Sequence, residues 1–341
     1  MTLSTAPLPP REPIERAARR GGGSPWTQFL LKRGIGLLLT FAVLVVITFL
    51  IVPLIPGDPA VQAAGPDASP AKIEQVRSDL GLDEPMAQRF ADYVGGVLRG
   101  DLGESFALSA SVRDVIVTRL PFTATLAVAS IAMVLLVSIP VGMAVSILTR
   151  GGRRRWLDHG FSGATGFFGS IPPYVTATLF VVVFAVTLSW LPPAYSARQG
   201  WTSFILPVAA LALGPICTVS RVVRRETDRV VVQDYMRTAR GWRIGSWRRY
   251  ALYALPNLLT STLTLAGLLL TSMLGGAIIV ETVFNWPGLG LAVVQAIVEK
   301  DYPLIQGSVL VIGMLAAILT MVIDALLGAI DPRTLGAKNV A

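Results

Sequence analysis

The chain has 341 residues, 53% of them hydrophobic and 15% charged, with a mean hydropathy of +0.62. A soluble domain is about a quarter charged, so this composition excludes an ordinary water-soluble globule and describes a membrane protein. The formal net charge is +8, and the single cysteine, Cys217, excludes an internal disulfide or a cysteine-built metal cluster.

The N-terminal stretch "MTLSTAPLPPREPIERAARRGGGSPW" is rich in Pro, Arg and Gly and has nothing with which to build a core, so residues 1–30 read as a disordered cytoplasmic tail. Uncharged runs follow at 34–57, 120–149, 159–197, 199–220, 250–280 and 302–323. Each holds one stretch of roughly 20 apolar residues, the length that crosses a hydrocarbon core at the helical rise. The first span, 31–57 with its flank, is longer than the roughly 7–15 residues of a signal-peptide core and reads as uncleaved. The third run is too long for one crossing. Its later part, "LSWLPPAYSA" at 188–197, carries paired prolines and interfacial aromatics, which leaves a span at 160–187 followed by a loop. Pro207 and Pro215 lie inside the fourth span, where neighbouring helices and water can satisfy the carbonyls they free.

Orientation follows from the 29 Lys and Arg. Before the first span, between the second and third, between the fourth and fifth, and after the sixth there are 21; the alternate segments hold 8, six of them in one long loop. Cytoplasmic segments retain the excess of basic residues, so both termini are expected in the cytoplasm. That asymmetry and anionic lipid headgroups account for the net charge better than nucleic acid does.

The long loop, 58–119, is the one sizeable extramembrane piece and faces outward on this topology. Ser69 followed by Pro70 signals a helix start, with Ile73, Val76 and Leu80 on one face; a second amphipathic stretch carries Met86, Phe90, Tyr93, Val94 and Val97. These read equally as a structural cap or as a docking surface for an extracytoplasmic partner. In the third span Ser162, Gly166 and Ser170 make a small-residue stripe expected to pack against another helix. Gly275 and Gly276 are a hinge or a close approach. Cys217 reads as packing and His159 as an interfacial residue. Glu281 falls at the outer end of the fifth span, and Asp324, near the inner end of the sixth, reads as a structural polar contact. Neither carboxylate sits at the midplane, where an ion-coupled carrier retains its ionisable groups.

Residues 221–249 contain nine arginines, too many for lipid. Yet Val232, Tyr235, Met236 and Ala239 fall at i, i+3, i+4 and i+7, with Asp234, Arg237 and Arg240 on the other face. Gly245 and Ser246 offer a break and an N-cap, after which Trp247, Tyr250, Ala251 and Ala254 form a second apolar stripe before Pro256. The pattern predicts helix, turn, helix on the cytoplasmic face, able to lie on the membrane or to insert into a cytoplasmic protein.

This segment resembles the cytoplasmic coupling loop of ATP-binding-cassette importer permeases, and "QDYMRTAR…ALPN" is similar to the version in the dipeptide/oligopeptide/nickel family. Further landmarks follow in that family's order: "PGDP" at 56–59, "LGLDEP" at 80–85, "VLRGDLGESF" at 97–106, "RLPFTATLAV" at 119–128, "VETVFNWPGLG" at 280–290, "DYPLIQG" at 301–307 and "DPR" at 331–333. They cover nearly the whole chain after residue 30 and are most similar to the first permease subunit of dipeptide systems.

The resemblance implies an all-α fold of type I importer architecture with six transmembrane helices. It comprises a 58–119 extracytoplasmic helical region, a five-helix core over 120–331 containing the coupling loop 221–257, and a cytoplasmic tail at 332–341. It implies an ATPase-coupling surface at Asp234, Tyr235, Met236, Arg237, Thr238, Ala239, Arg240, Gly241, Arg243 and Gly245. One position departs from the pattern: the family's coupling glycine falls at Arg243, so either the turn has moved to Gly245 or the alignment slips by two residues. An outer gate or binding-protein contact is implied at Glu281, Phe284, Trp286, Pro287 and Gly288, where a rigid re-entrant cap and direct substrate contact both fit. The implied partners are a second permease, two ATPases that bind ATP and Mg²⁺, and an extracytoplasmic substrate-binding protein, all at the bacterial cytoplasmic membrane. The implied cargo is a dipeptide or oligopeptide, with nickel, opines or glutathione as alternatives. No "GxxxxGK[ST]" phosphate loop occurs in the chain, so nucleotide is expected on partner subunits and no catalytic or metal site here. A secondary transporter would show midplane carboxylates or internal repeats, and an intramembrane hydrolase a convergent catalytic set; neither is visible.

Overall fold

The computed structural model describes residues 25–54, 57–65 and 67–330. Most of the N-terminal tail, Pro56 of "PGDP", and "DPR" with the C-terminal tail lie outside the described residues.

Helix α1 (Pro25–Leu54) opens on a proline, whose missing N–H costs nothing in a first turn. Three short helices follow: α2 (Pro59–Ala64), α3 (Pro70–Asp79) and α4 (Met86–Arg99). Ser69 caps α3 as expected, its Oγ accepting from the Lys72 N–H at 3.3 Å. Asp58 caps α2 by accepting from the Ala60 N–H at 3.0 Å and pairs with Arg77 of α3, holding the two together. Of the predicted apolar faces, Ile73 and Val76 are half-buried while Leu80 and Met86 are exposed. The working contact is on α4, where Phe90 and Tyr93 pack on Phe49 of α1 with ring centroids 5.1 and 5.9 Å apart. The Tyr93 hydroxyl hydrogen-bonds Thr48 at 2.9 Å. A two-stranded hairpin, β1 (Glu104–Ser105) with β2 (Ala110–Ser111), is the exception to an all-α fold among the described residues.

The core is built from α5 (Val112–Thr149), α6 (Arg155–Ser170), α7 (Pro173–Phe180, continuing as a π-helical turn to Thr187) and α8 (Thr202–Val231). After these come α9 (Asp234–Gly241), α10 (Ser246–Arg249, followed by a π-helical turn over Tyr250–Ala254), α11 (Leu255–Val283), α12 (Leu289–Glu299) and α13 (Tyr302–Ile330). Five helices, α1, α5, α8, α11 and α13, are long and apolar enough to cross a membrane, and the bent pair α6–α7, counted as one broken span, brings the number to six.

That bend corrects the expected single helix over 160–187. The axis turns by 98° between Ser170 and Pro173. Pro172 and Pro173 are the cause: Ile171 is pushed to an extended conformation (φ −74°, ψ 124°) because a residue before proline disfavours the α region. The predicted stripe also sits on the wrong face. Ser162 and Ser170 are exposed, whereas Thr165 is buried and Gly169 lies where an added Cβ would come within 3.2 Å of Cys217 Cβ on α8. Cys217 is therefore packing, as read.

Helix α5 packs along α8, and α11 against both, with Leu126 and Val134, Val219 and Val223, and Met273 and Val280 meeting in one core. In lipid such helices associate through close packing more than through water exclusion. Gly142 lets α5 and α8 approach closely, since a Cβ there would stand 2.6 Å from the Ser220 carbonyl oxygen. Ser138 Oγ donates to the Ile216 carbonyl at 3.2 Å and Ser146 Oγ to Asp228 at 2.5 Å, so polar contacts follow the same seam. Pro207 and Pro215 leave α8 continuous. Gly276 is a close approach, its Cβ position 3.2 Å from Leu211 Cδ1, and α11 is unbroken there. Asp324 makes the structural contact expected of it, an ion pair with Arg33 that ties α13 to α1.

Candidate functional site

The arginine-rich turn is not a loop from residue 221. Helix α8 runs on to Val231, carrying Arg221, Arg224, Arg225 and Arg229 on a helical scaffold, so the turn proper begins at Val232. Helix α9 is pinned by two side chains. Met236 and Ala239 are buried, and Met236 sits in a cluster with Val230 and Val231 of α8 and Ala254 of the π-helical turn, flanked by Met143, Tyr250 and Tyr253. Val232 and Tyr235, expected on the same stripe, are exposed, because the chain leaves α8 at Val232 and only one narrow edge of α9 faces back. Asp234, Arg237, Thr238, Arg240, Gly241 and Gly245 all face outward.

The end of α9 settles where the turn lies. Arg243 has φ +55°, the left-handed conformation that a glycine ordinarily supplies, while Gly245 has φ −53°. The Arg243 N–H donates to the Arg240 carbonyl at 3.0 Å and the Ile244 N–H to the Ala239 carbonyl at 3.2 Å. This is the Schellman pattern, with Arg243 in the position glycine usually fills. The turn has not moved to Gly245; the backbone keeps its shape and an arginine bears the steric cost. Nor does Ser246 act as the cap expected of it, since it is already the first residue of α10 and Gly245 precedes it. The second stripe is partly overturned as well: Ala254 is buried, but Trp247 is 85% exposed. With Trp242, 74% exposed and in neither predicted stripe, it puts two aromatics on the outward face. The signal was compositional, tryptophan beside arginine, a pairing enriched where proteins dock.

At the far end of α11 a second constellation surrounds Glu281, which is fully buried. Its carboxylate accepts from Thr123 Oγ1 of α5 at 2.7 Å and from the Leu291 N–H at 3.1 Å. Thr123 Oγ1 in turn accepts from the Leu289 N–H at 2.8 Å. Leu289 and Leu291 are in the first turn of α12, whose N-terminal N–H groups need acceptors. Gly288, the residue before that helix, cannot supply one and leaves the space for Glu281, whose Oε1 would be 2.4 Å from any Cβ there. Glu281 thus caps α12 from another helix, and a carboxylate there also suits the positive end of the helix dipole.

Trp286 closes the loop between α11 and α12. It is buried among Phe122, Tyr195 and Phe204, with centroids 6.0, 4.9 and 5.2 Å away, and its Nε1 donates to the Phe122 carbonyl at 3.1 Å. Phe284 is buried too, Gly288 with it, and Pro287 is half-buried. Direct contact of Glu281, Phe284, Trp286 and Gly288 with a binding protein or substrate does not fit this burial. The geometry is that of a rigid cap, one of the two readings open from the sequence. A parallel clamp uses Asp301, buried at the start of α13, which accepts from Ser105 Oγ at 2.5 Å, from the Ala107 N–H at 3.2 Å and from the Leu304 N–H at 3.3 Å.

Apolar spans with an exposed, firmly rooted helix-turn at one end and a short apolar helix capped by a buried carboxylate at the other describe a membrane-embedded protein. The chain belongs to the binding-protein-dependent transport system inner membrane component family, which it matches over residues 138–336, with the corresponding N-terminal family matched over 26–127. It is 36% identical over 313 residues to a Brucella abortus (strain 2308) protein named as a peptide transport system permease, covering 90% of this chain and 98% of that one. It is 35% identical over 305 residues to the glutathione transport system permease GsiC of Escherichia coli (strain K12), covering 89% and 97%. The inward-facing MetNI methionine ABC transporter shares the fold, with a TM-score of 0.52 at 15% identity over 63% of this chain and 96% of that chain. The protein is a multi-pass permease of the inner membrane with type I importer architecture, a transport subunit and not an enzyme.

Proposed function

We propose that this chain is one pore-forming half of an ATP-driven importer of dipeptides or oligopeptides. It pairs with a second permease, two cytoplasmic ATPases that bind ATP and Mg²⁺, and an extracytoplasmic binding protein. The observation that carries the proposal is the α9 turn. Its root is buried, Met236 against the end of α8 and the π-helical turn before α11 and Ala239 beside it, while its outer face offers Asp234, Tyr235, Arg237, Arg240, Trp242 and Trp247 to a cytoplasmic protein. Force applied to that face reaches α8 directly, because α8 ends at the turn, and α11 through α10 and the π-helical turn that lead into it. Nucleotide can drive such a movement only if the assembly binds it differently in the inward-open and outward-open states.

On the outer side, the Glu281 cap holds α12 as a fixed frame for the gate, and the α2–α4 region offers the surface on which a loaded binding protein would settle. The peptide cargo is supported by relatives whose names specify peptide and glutathione, itself a tripeptide. The deciding measurement is substrate-stimulated ATPase activity of the reconstituted complex with its binding protein, against a peptide length series, glutathione and Ni²⁺. Stimulation by short peptides is expected; stimulation by Ni²⁺ alone would reassign the cargo. Uptake into liposomes by this chain without any ATPase would overturn the importer reading itself.

A further inference from the structure

A cleft of about 570 Å³ opens on the arginine-rich side between the end of α5, the start of α6 and the end of α8, bordered by Val232 where the coupling turn begins. Arg150, Arg153, Arg155 and Arg224 line it, with His159 and Tyr250. Its two carboxylates are already engaged: Asp228 accepts from Ser146 Oγ at 2.5 Å, and Asp158 pairs with Arg224. Arg150, Arg153 and Arg155 have no ion-pair partner among the described residues. Arg224 Nε is buried and has no hydrogen-bond acceptor there. The tight turn through Gly151 (φ +71°) and Gly152 (φ +76°) brings the three free arginines to one mouth. The cleft therefore holds four guanidinium groups against two carboxylates, and one buried donor without an acceptor.

We infer that this cleft binds the phosphate headgroup of an anionic phospholipid of the inner leaflet. Depth selects the lipid as the source of the phosphate. Trp156, 73% exposed beside Arg155, is the kind of residue that marks the membrane–water boundary, and Phe167 and Phe168 further along α6 are exposed apolar side chains suited to acyl chains. A basic pocket between helices at that level is a headgroup site in physical terms. The inference rests on the cytoplasmic placement of the arginine-rich end and does not depend on the identity of the cargo.

The test uses the assembled transporter in nanodiscs of phosphatidylcholine doped with phosphatidylglycerol, with bound lipid quantified by native mass spectrometry. The wild-type complex is expected to retain phosphatidylglycerol over phosphatidylcholine. The variant R150Q/R153Q/R155Q, altered at exposed positions, is expected to lose at least about tenfold of that preference, and R150K/R153K/R155K to keep most of it. Equal retention by the Gln variant would overturn the inference. So would displacement of the lipid by inorganic phosphate at matched concentration, which would assign the cleft to a soluble anion. Preference seen in the separated permease pair but absent once the ATPases are bound would equally overturn it, since the cleft would then be a protein contact.

Discussion

Two residues carry unusual local burdens. Arg243 occupies a left-handed position at a cost of roughly 1–2 kcal/mol for a side chain with a Cβ. Arg243→Gly should therefore stabilise the turn by about 1 kcal/mol, read as a higher Tm of the purified protein, provided the arginine makes no contact in the assembly; Arg243→Val should lower it. A lower Tm for the glycine variant would mean that the side chain contributes more than the backbone strain costs. Glu281 is the second. Replacing it with Ala leaves Thr123 Oγ1 and the Leu291 N–H without their buried acceptor, a loss of about 1–3 kcal/mol per group, and the expected result is early thermal release of the outer end of α11. Gly290→Ala attacks the same place by volume. Its Cβ would lie 2.5 Å from Ile278 Cα, backbone that cannot rotate away, so overpacking of roughly 1–3 kcal/mol is expected in the same measurement. Asn285→Gly, at an exposed position whose φ of +47° glycine adopts freely, is the control and should be nearly silent.

Among the elements, α9 is the one whose role separates rooting from recognition. Met236→Ala empties a fully buried site and should loosen the helix by about 2–5 kcal/mol, whereas the combined change D234A/R237A/R240A leaves the root intact and alters only the outward face. Both are expected to uncouple uptake from ATP hydrolysis, but only the first should also lower thermal stability. Uptake unchanged in the triple variant, with normal assembly, would remove α9 as the transmitting element. The existence of α9 was legible in its apolar spacing, because Met236 and Ala239 had to face something. Its neighbours were harder to read. The end of α8 was hidden because arginine marks where lipid ends, not where a helix does, and the spiral continues into the cytoplasm for a further eleven residues, 221–231. The α6–α7 break was written in Pro172–Pro173, yet a hydropathy run counts prolines as neutral and passes over them.

At the scale of the whole molecule, four of the landmarks that signalled the family turn out to be halves of contacts. "RLPFTATLAV" supplies Thr123 and "VETVFNWPGLG" supplies Glu281, 158 residues apart in sequence and hydrogen-bonded. "VLRGDLGESF" supplies Ser105 and "DYPLIQG" supplies Asp301, joined across 196 residues. A sequence displays each half as a string, and only the fold pairs them, which is why the landmarks were visible while their burial was not. The pairing also bears on how a stroke at one side is felt at the other. Helix α8 has 30 residues and is about 45 Å long. If it pivots as a rigid rod about its arginine-rich end, a tilt of about 10° swings its far end by roughly 8 Å, a simple consequence of that length. With α5, α11 and α12 riveted together by Glu281, a swing of that kind would be taken up between α8 and this block, so the leverage of a long helix would bear on the room for a cargo alongside the chemistry of the walls.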